Sequence, residues 1–283
     1  MAGLFDPDVA NFINVDGLAI RVVRDGQDCG NLPVLLTSPY PETVAAFHAI
    51  WPQLRDFGRL IAVDLPGFGR SEGRRDLMSP MAMSAFFPRL MDALGLDRVH
   101  AVVPDVGTLA ALFAAVDHPQ RFESIVAGSG GAAMDLLGDS LRQIVESSTN
   151  DYAGADGGEQ VMALIRQMAR ITPPKSVIED YRRASAGSRW NEAADFVRAY
   201  PRDLPRLAEL LPSIQVPVLI LSGRDDPLVP LSNGDFLRDG LPRAVAEVVD
   251  AGHFVWEDAP ERYGALVRAW IDGGYRRAGA DAR

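Results

Sequence analysis

Asp105, Asp226 and His253 each come just after an apolar run: "VHAVVP" (99–104), "VPVLILSG" (216–223) and "AVAEVVD" (244–250). A carboxylate, a second acid and an imidazole brought together can run covalent chemistry in two steps. A serine alkoxide suits attack on an acyl carbon, because water can hydrolyse the resulting ester. At a saturated carbon, serine would leave an ether that water does not readily cleave. A carboxylate instead displaces the leaving group and becomes an alkyl ester, whose own carbonyl is open to imidazole-activated water. Asp105 also immediately precedes the helix-like stretch "VGTLAALFAAVD", so a helix N-cap is the competing reading for it. For His253 the competing reading is a packed core histidine. His48, His100 and His118 fall in helical or strand runs and read as structural. The neighbouring Asp225 reads as turn chemistry, and Asp135 is the alternative acid.

Residues at the ends of apolar runs can meet only if those runs are neighbouring strands. Strand-like runs lie at 18–26, 33–38, 59–69, 99–104, 123–131, 216–223 and 244–252, with helix-like stretches between them at 43–56, 79–95, 107–117 and 260–273. Continuous Val/Leu/Ile strands, each followed by a helix, imply an α/β protein with a mostly parallel sheet covered on both faces. In such sheets ligands bind beyond the carboxyl ends of the strands, so the three residues are expected at one edge. Strand patterns vanish from 132 to 212, where "LRQIVESS", "EQVMALIRQMARI", "SVIEDYRRAS" and "RWNEAADFVRAYP" read as amphipathic helices. The expected division is a core over 1–131, a helical cap over 132–212 and the rest of the core over 213–283.

A formal net charge of −10 and no long basic run give no electrostatic footprint for nucleic acid or an anionic membrane. No apolar run is long enough for a transmembrane helix, and the start shows no signal-peptide pattern. Cys29 is the single cysteine, which fits a reducing compartment, so the expected location is the cytoplasm. The sequence shows no metal-ligand cluster, and "GSGG" (128–131) lacks the spacing of a phosphate-binding loop. Neither cofactor nor metal is expected. The oligomeric state is left open between monomer and homodimer.

"DLPGFGRSE" (64–72), the turn at 103–107, "GRDDPLVP" (223–230) and "GHFVWEDAPE" (252–261) resemble, in order and spacing, the landmarks of the α/β-hydrolase fold. The resemblance spans essentially the whole chain. It implies a twisted, mostly parallel sheet flanked by helices, with a helical cap insertion and the chain order nucleophile, acid, histidine. Aspartate at the elbow resembles the epoxide hydrolase and haloalkane dehalogenase branch rather than the esterases and lipases. The resemblance then implies Asp105 as nucleophile and His253 as the base that activates water. Asp226, at the G-x-x-D spacing from Gly223, orients the histidine. The backbone N–H groups of Tyr40 and Val106 are the expected oxyanion hole.

The chain departs from that family in several places. The usual His-Gly-x-Pro is Ser38-Pro39-Tyr40-Pro41 here, and Pro39 restricts the backbone. For the Tyr40 side chain, wall packing and a catalytic role both stand. Val103 is bulkier than usual, and Pro104 replaces a frequent histidine. Val106 offers no side-chain N–H for a departing halide, where haloalkane dehalogenases have tryptophan; Trp190 in the cap is the remaining candidate. Epoxide opening needs an acid from the cap, where Tyr152, Tyr181 and Tyr200 lie, with Tyr181 and Tyr200 preferred. The first reading is therefore an epoxide hydrolase acting on a hydrophobic small molecule. The alternatives are a haloalkane or haloacid dehalogenase with the same ester mechanism, a non-catalytic ligand-binding member of the fold, and a lyase or C–C bond hydrolase using Asp105 as a base.

Overall fold

The computed structural model describes residues 4–275. Eight strands, β1 (Asn11–Val15), β2 (Leu18–Asp25), β3 (Val34–Thr37), β4 (Leu60–Val63), β5 (Val99–Val102), β6 (Phe122–Ala127), β7 (Val218–Gly223) and β8 (Ala244–Val249), form one sheet. Their spatial order is β1-β2-β4-β3-β5-β6-β7-β8. Pairing is antiparallel from β1 to β2 and from β2 to β4, and parallel for every later pair. Every residue of β3, β4, β5 and β7 is buried, which is why these strands read as unbroken apolar runs rather than alternating ones. One face packs on the helix Val106–Asp117 and on Phe86, Phe87 and Leu90. The other packs on Trp51, Trp256 and Trp270.

Between β6 and β7 the described chain contains helices and turns but no strand. The longest of these helices are Gly157–Met168, Lys175–Ser185 and Tyr200–Leu210. Asp180 fastens this segment to the sheet: its Oδ2 accepts from Arg21 Nη1 of β2 at 2.5 Å and from Thr43 Oγ1 at 2.6 Å. Arg21 and Asp180 are both fully buried, and Asp64 lies 3.6 Å from the same guanidinium.

Several local expectations change. The structure adds the short strand β1 and the helices Leu231–Gly240 and Val255–Asp258, none of which the sequence pattern marks. The stretch 43–56 is not one helix. It comprises a 3₁₀ turn capped by the Thr43 hydroxyl and a single turn starting at Trp51-Pro52, where proline's missing N–H costs nothing. The stretch 189–201 likewise breaks into Arg189–Ala193 and Asp195–Arg198, and Pro201 sits in the first turn of the next helix. Among the described residues, no helix is long and apolar enough to cross a membrane.

Candidate active site

β5 ends at Val102, and the chain turns sharply into the helix Val106–Asp117 at Asp105, whose φ is 56° and ψ −124°. A non-glycine residue there stores about 1–3 kcal/mol of strain, tolerated only where surrounding bonds over-determine it. They do so here. Asp105 N donates to Gly128 O at 2.8 Å, and its own carbonyl accepts from Thr108 N at 3.0 Å. Thr108 Oγ1 donates to Val103 O at 2.8 Å and accepts from Gly128 N at 3.0 Å. The turn also brings helix and sheet very close: a Cβ on Gly107 would lie 2.2 Å from Thr37 Oγ1. Val103 fits because its side chain is fully buried in the strand-end packing.

The Asp105 carboxylate makes no capping bond to the helix behind it. It turns toward a cavity instead. Oδ1 accepts from the Tyr40 N–H at 2.9 Å, and Oδ2 lies 3.4 Å from His253 Nε2. Pro39 therefore does not prevent this loop from presenting a backbone donor. Val106 is the first residue of the helix, where N–H groups have no intrahelical acceptor, and it lines the same cavity.

His253 Nδ1 lies 2.8 Å from Asp226 Oδ2, while Asp226 Oδ1 accepts from the N–H groups of Leu228 and Val229. Asp226, rather than Asp225 or Asp135, is thus the carboxylate bonded to the His253 ring. Asp225 pairs with Arg170 on the surface, and Asp135 lies in the separate turn Met134–Leu136. Burial alone would lower the His253 pKa, but the charge of Asp226 and the hydrogen bond and charge of Asp105 outweigh it. The result is about 10. His100 bonds Ser124, His48 bonds the Ala45 carbonyl, and His118 ends a helix, all away from the cavity.

The cavity is about 260 Å³, near the lower end of the ~300–1,000 Å³ usual for ligand sites. Asp105, Val106 and His253 form its floor, and Leu141, Ile144, Val197 and Leu228 contribute apolar wall. Tyr200, Tyr152 and Trp190 reach it from the helical segment, and Ser140 and Gln160 are among its polar lining. Tyr200 makes no side-chain hydrogen bond among the described residues, and burial, reinforced by the charge of Asp105, raises its pKa well above the usual phenol value. It stays protonated.

Tyr181 corrects the sequence reading. Its hydroxyl donates to Glu257 Oε1 at 2.8 Å and the ring is fully buried. It sits on the same helix as Asp180, on the face packed against the core, because the apolar periodicity that marks that face includes Tyr181 itself. The Tyr40 side chain is wall: its hydroxyl donates to Trp190 O at 2.9 Å, and the two rings stack.

Sequence reasoning passes over Ser129 and Gly131, which line the cavity. Ser129 Oγ donates to the His253 carbonyl at 3.2 Å. The signal is present in "GSGG", which fails the spacing of a phosphate loop but directly follows β6 at the functional edge. The described residues include no group of three or more His, Cys, Asp or Glu arranged to hold a metal.

Residues 33–260 match the family model described as alpha/beta hydrolase fold. The 2-hydroxy-6-oxononadienedioate/2-hydroxy-6-oxononatrienedioate hydrolase of Burkholderia vietnamiensis (strain G4 / LMG 22486) is 26% identical over 93% of this chain and 95% of its own. The meta-cleavage product hydrolase CumD from Pseudomonas fluorescens IP01 superposes with a TM-score of 0.76 at 21% identity, covering 94% of this chain and 98% of that one. A loop variant of the haloalkane dehalogenase DbeA from Bradyrhizobium elkanii gives 0.79 at 19% identity, covering 94% and 97%. At these identities the two structural likenesses speak for the fold alone.

Proposed function

The chain is a hydrolase of the alpha/beta hydrolase fold family, and from that premise we propose that it opens an uncharged, hydrophobic epoxide to a diol through an ester on Asp105. The observation that carries the proposal is the direction of the Asp105 carboxylate. It leaves its helix uncapped and splits its oxygens between the Tyr40 N–H and the His253 ring. In the first step Oδ2 bonds to an epoxide carbon, the carbon–oxygen bond of the ring breaks, and the alkoxide takes the Tyr200 proton. Oδ1 is then the ester carbonyl oxygen, already against the Tyr40 N–H. In the second step His253 Nε2 removes a proton from water, whose oxygen attacks Cγ, and negative charge gathers on Oδ1, where the Tyr40 and Val106 N–H groups oppose it. The Cγ–Oδ2 bond breaks, the departing alkoxide takes the proton from the His253 imidazolium, and the acid proton left on Asp105 restores the Tyr200 hydroxyl, so the diol keeps an aspartate oxygen and the water oxygen stays in Asp105.

The electrostatics fit this order. A histidine held near 10 is a poor base while Asp105 is charged. Alkylation removes that charge, the pKa falls, and the imidazole becomes a base only once there is an ester to hydrolyse. The helical segment over 132–212 acts as the cap, contributing Tyr200 as acid and the upper wall of the cavity.

Trp190 in the wall favours a second reading, dehalogenation through the same ester, with its indole as the halide donor. Similarity to the dienedioate hydrolase favours C–C bond hydrolysis with Asp105 as base. Against this, the described lining of the cavity contains no arginine or lysine to meet a dicarboxylate. Arg198, behind Tyr152, is held by Asn191 and Asp195.

Multiple turnovers of styrene oxide in oxygen-18 water test the proposal: label enters Asp105, and His253→Gln accumulates a covalent adduct there, both read by mass spectrometry of the Asp105 peptide. Halide release from a bromoalkane without diol formation selects the dehalogenase. Turnover of any substrate with neither label nor adduct refutes the ester mechanism.

A further inference from the structure

Two buried acids take no part in the chemistry above. Glu42 lies two residues beyond the Tyr40 donor, and Glu257 four residues beyond His253. They are 1% and 3% exposed. Glu42 Oε1 accepts from Trp256 Nε1 at 3.3 Å, and Glu257 Oε1 accepts from the Tyr181 hydroxyl at 2.8 Å. The other oxygen of each, Oε2, is buried without a donor. Trp256, which holds Glu42, is the residue immediately before Glu257, so the two carboxyl groups share one buried site, where each perturbs the titration of the other.

Two ionised carboxylates side by side in a buried site, without a cation, would carry a heavy desolvation and repulsion cost. Among the described residues, the basic side chain in ion-pair range of either acid is His48, whose Nδ1 lies 3.9 Å from Glu257 Oε1. That ring already bonds Ala45 O, and burial lowers its pKa, so it is neutral at pH 7. The remaining titratable neighbours, Tyr181, Asp258 and Asp105, bring no positive charge. A single proton between the carboxyls satisfies both orphaned oxygens at once.

We propose that Glu42 and Glu257 share one proton and act as a positioning pair, clamping the Tyr40 loop to the His253 turn so that the Tyr40 N–H stays on Asp105. The short helix Val255–Asp258 follows His253 directly and carries both Trp256 and Glu257, so Glu42 is gripped twice from one turn. Burial, then the neighbouring Glu257, push Glu42 well above the usual carboxyl range, and burial pushes Glu257 up to about 7. Acids raised in this way contribute stability that is complete at low pH and lost as pH climbs through about 7. Above that point the pair carries one charge and the single shared proton, and only the later ionisation of Glu42, whose proton is held more tightly, brings the second charge that drives the two loops apart. The catalytic consequence rests on the Asp105 reading given above, whereas the clamp itself does not.

The test follows the Tyr40 amide in the full-length protein labelled with ¹⁵N-tyrosine, its signal identified by its loss in Tyr40→Phe. In the wild type the resonance holds through the ionisation of Glu257 near 7 and moves at the higher pH where the shared proton is lost from Glu42. Glu42→Gln places an amide N–H where the shared proton was and keeps the net charge of the singly protonated pair. In that variant the resonance stays still, and the infrared carbonyl band of a buried protonated carboxyl, present in the wild type at neutral pH, disappears. With styrene oxide as probe, wild-type kcat falls above the same pH and KM does not change, while Glu42→Gln shows no such fall. A Tyr40 signal that ignores pH in the wild type, or moves identically in Glu42→Gln, overturns the proposal, as does a wild type without the carboxyl band. If styrene oxide is not turned over, that counts against the epoxide reading, while the amide and infrared measurements still decide the clamp.

Discussion

Replacing Asp105 by asparagine imitates, without any substrate, the charge lost when the proposed ester forms. The carboxylate oxygen Oδ2 lies 3.4 Å from His253 Nε2. At an effective dielectric of about 20, Coulomb's law gives an attraction of about 5 kcal/mol at that distance. One pKa unit corresponds to about 1.36 kcal/mol, so the ceiling is a fall of about 3 to 4 units. Asp105 borders an open cavity, where screening trims the effect, and Asp226 keeps its bond to Nδ1, so the expected fall is about 2 to 3 units. His253 would then titrate around 7 to 8 instead of about 10. Its folded pKa is raised, so its contribution to stability is complete below the unfolded value and is lost as pH rises through about 10. In Asp105→Asn that loss moves to lower pH. The assay is the pH titration of the His253 ring nitrogens by NMR in both proteins, with His48, His100 and His118 as internal controls. A shift of less than about half a unit, or a wild-type His253 that titrates like a free imidazole near 6.5, would refute the idea that Asp105 controls the base.

Tyr200→Phe should slow adduct formation in the His253→Gln background by roughly 10²-fold, the usual scale for a lost general acid; the same exchange at Tyr181 should leave it unchanged, and stopped-flow quenching with mass detection compares the two. Gly107→Ala forces a methyl to within 2.2 Å of Thr37 Oγ1 unless helix and strand part, and should destabilise the fold by about 1–3 kcal/mol in urea titrations. An unchanged midpoint there would mean that helix and strand are less closely packed than the structure has them. Asp180→Ala removes the hydrogen-bonded partner of the buried Arg21, leaving it only the longer 3.6 Å contact with Asp64, and should cost about 3 kcal/mol, whereas loss of an exposed pair such as Arg206–Glu209 should cost little. Equal effects from the two would show that burial does not set the strength of the tether.

β1 and the helices Leu231–Gly240 and Val255–Asp258 are not legible in the sequence, whereas seven of the eight strands, the helical stretch between two of them, and the three residues at the carboxyl edge are. Each is written in local pattern. A buried parallel strand reads as an almost continuous apolar run, and Asp105, Asp226 and His253 fall within four residues of the ends of β5, β7 and β8, which places them at that edge. Asp105 stays ambiguous in sequence because an aspartate before a helix has the same signature whether its side chain turns back to cap or outward to a ligand. The backbone torsion at the elbow and the donor at Tyr40 decide between those directions, and Tyr40 is 65 residues away in sequence.

The helical segment is harder for the same reason. Tyr181 and Tyr200 are both buried helical tyrosines, and which one meets the cavity depends on how the segment docks through the Asp180–Arg21 contact, 159 residues apart. The pairing of Glu42 with Glu257 joins loops at opposite ends of the chain, and no spacing rule connects them. What the sequence determined alone was whatever depends on the chain's own periodicity: element type, strand burial and the polar residues that end each run. What only the tertiary structure decided was the direction of side chains and the identity of distant partners, because those are set by which surfaces meet once apolar area is buried.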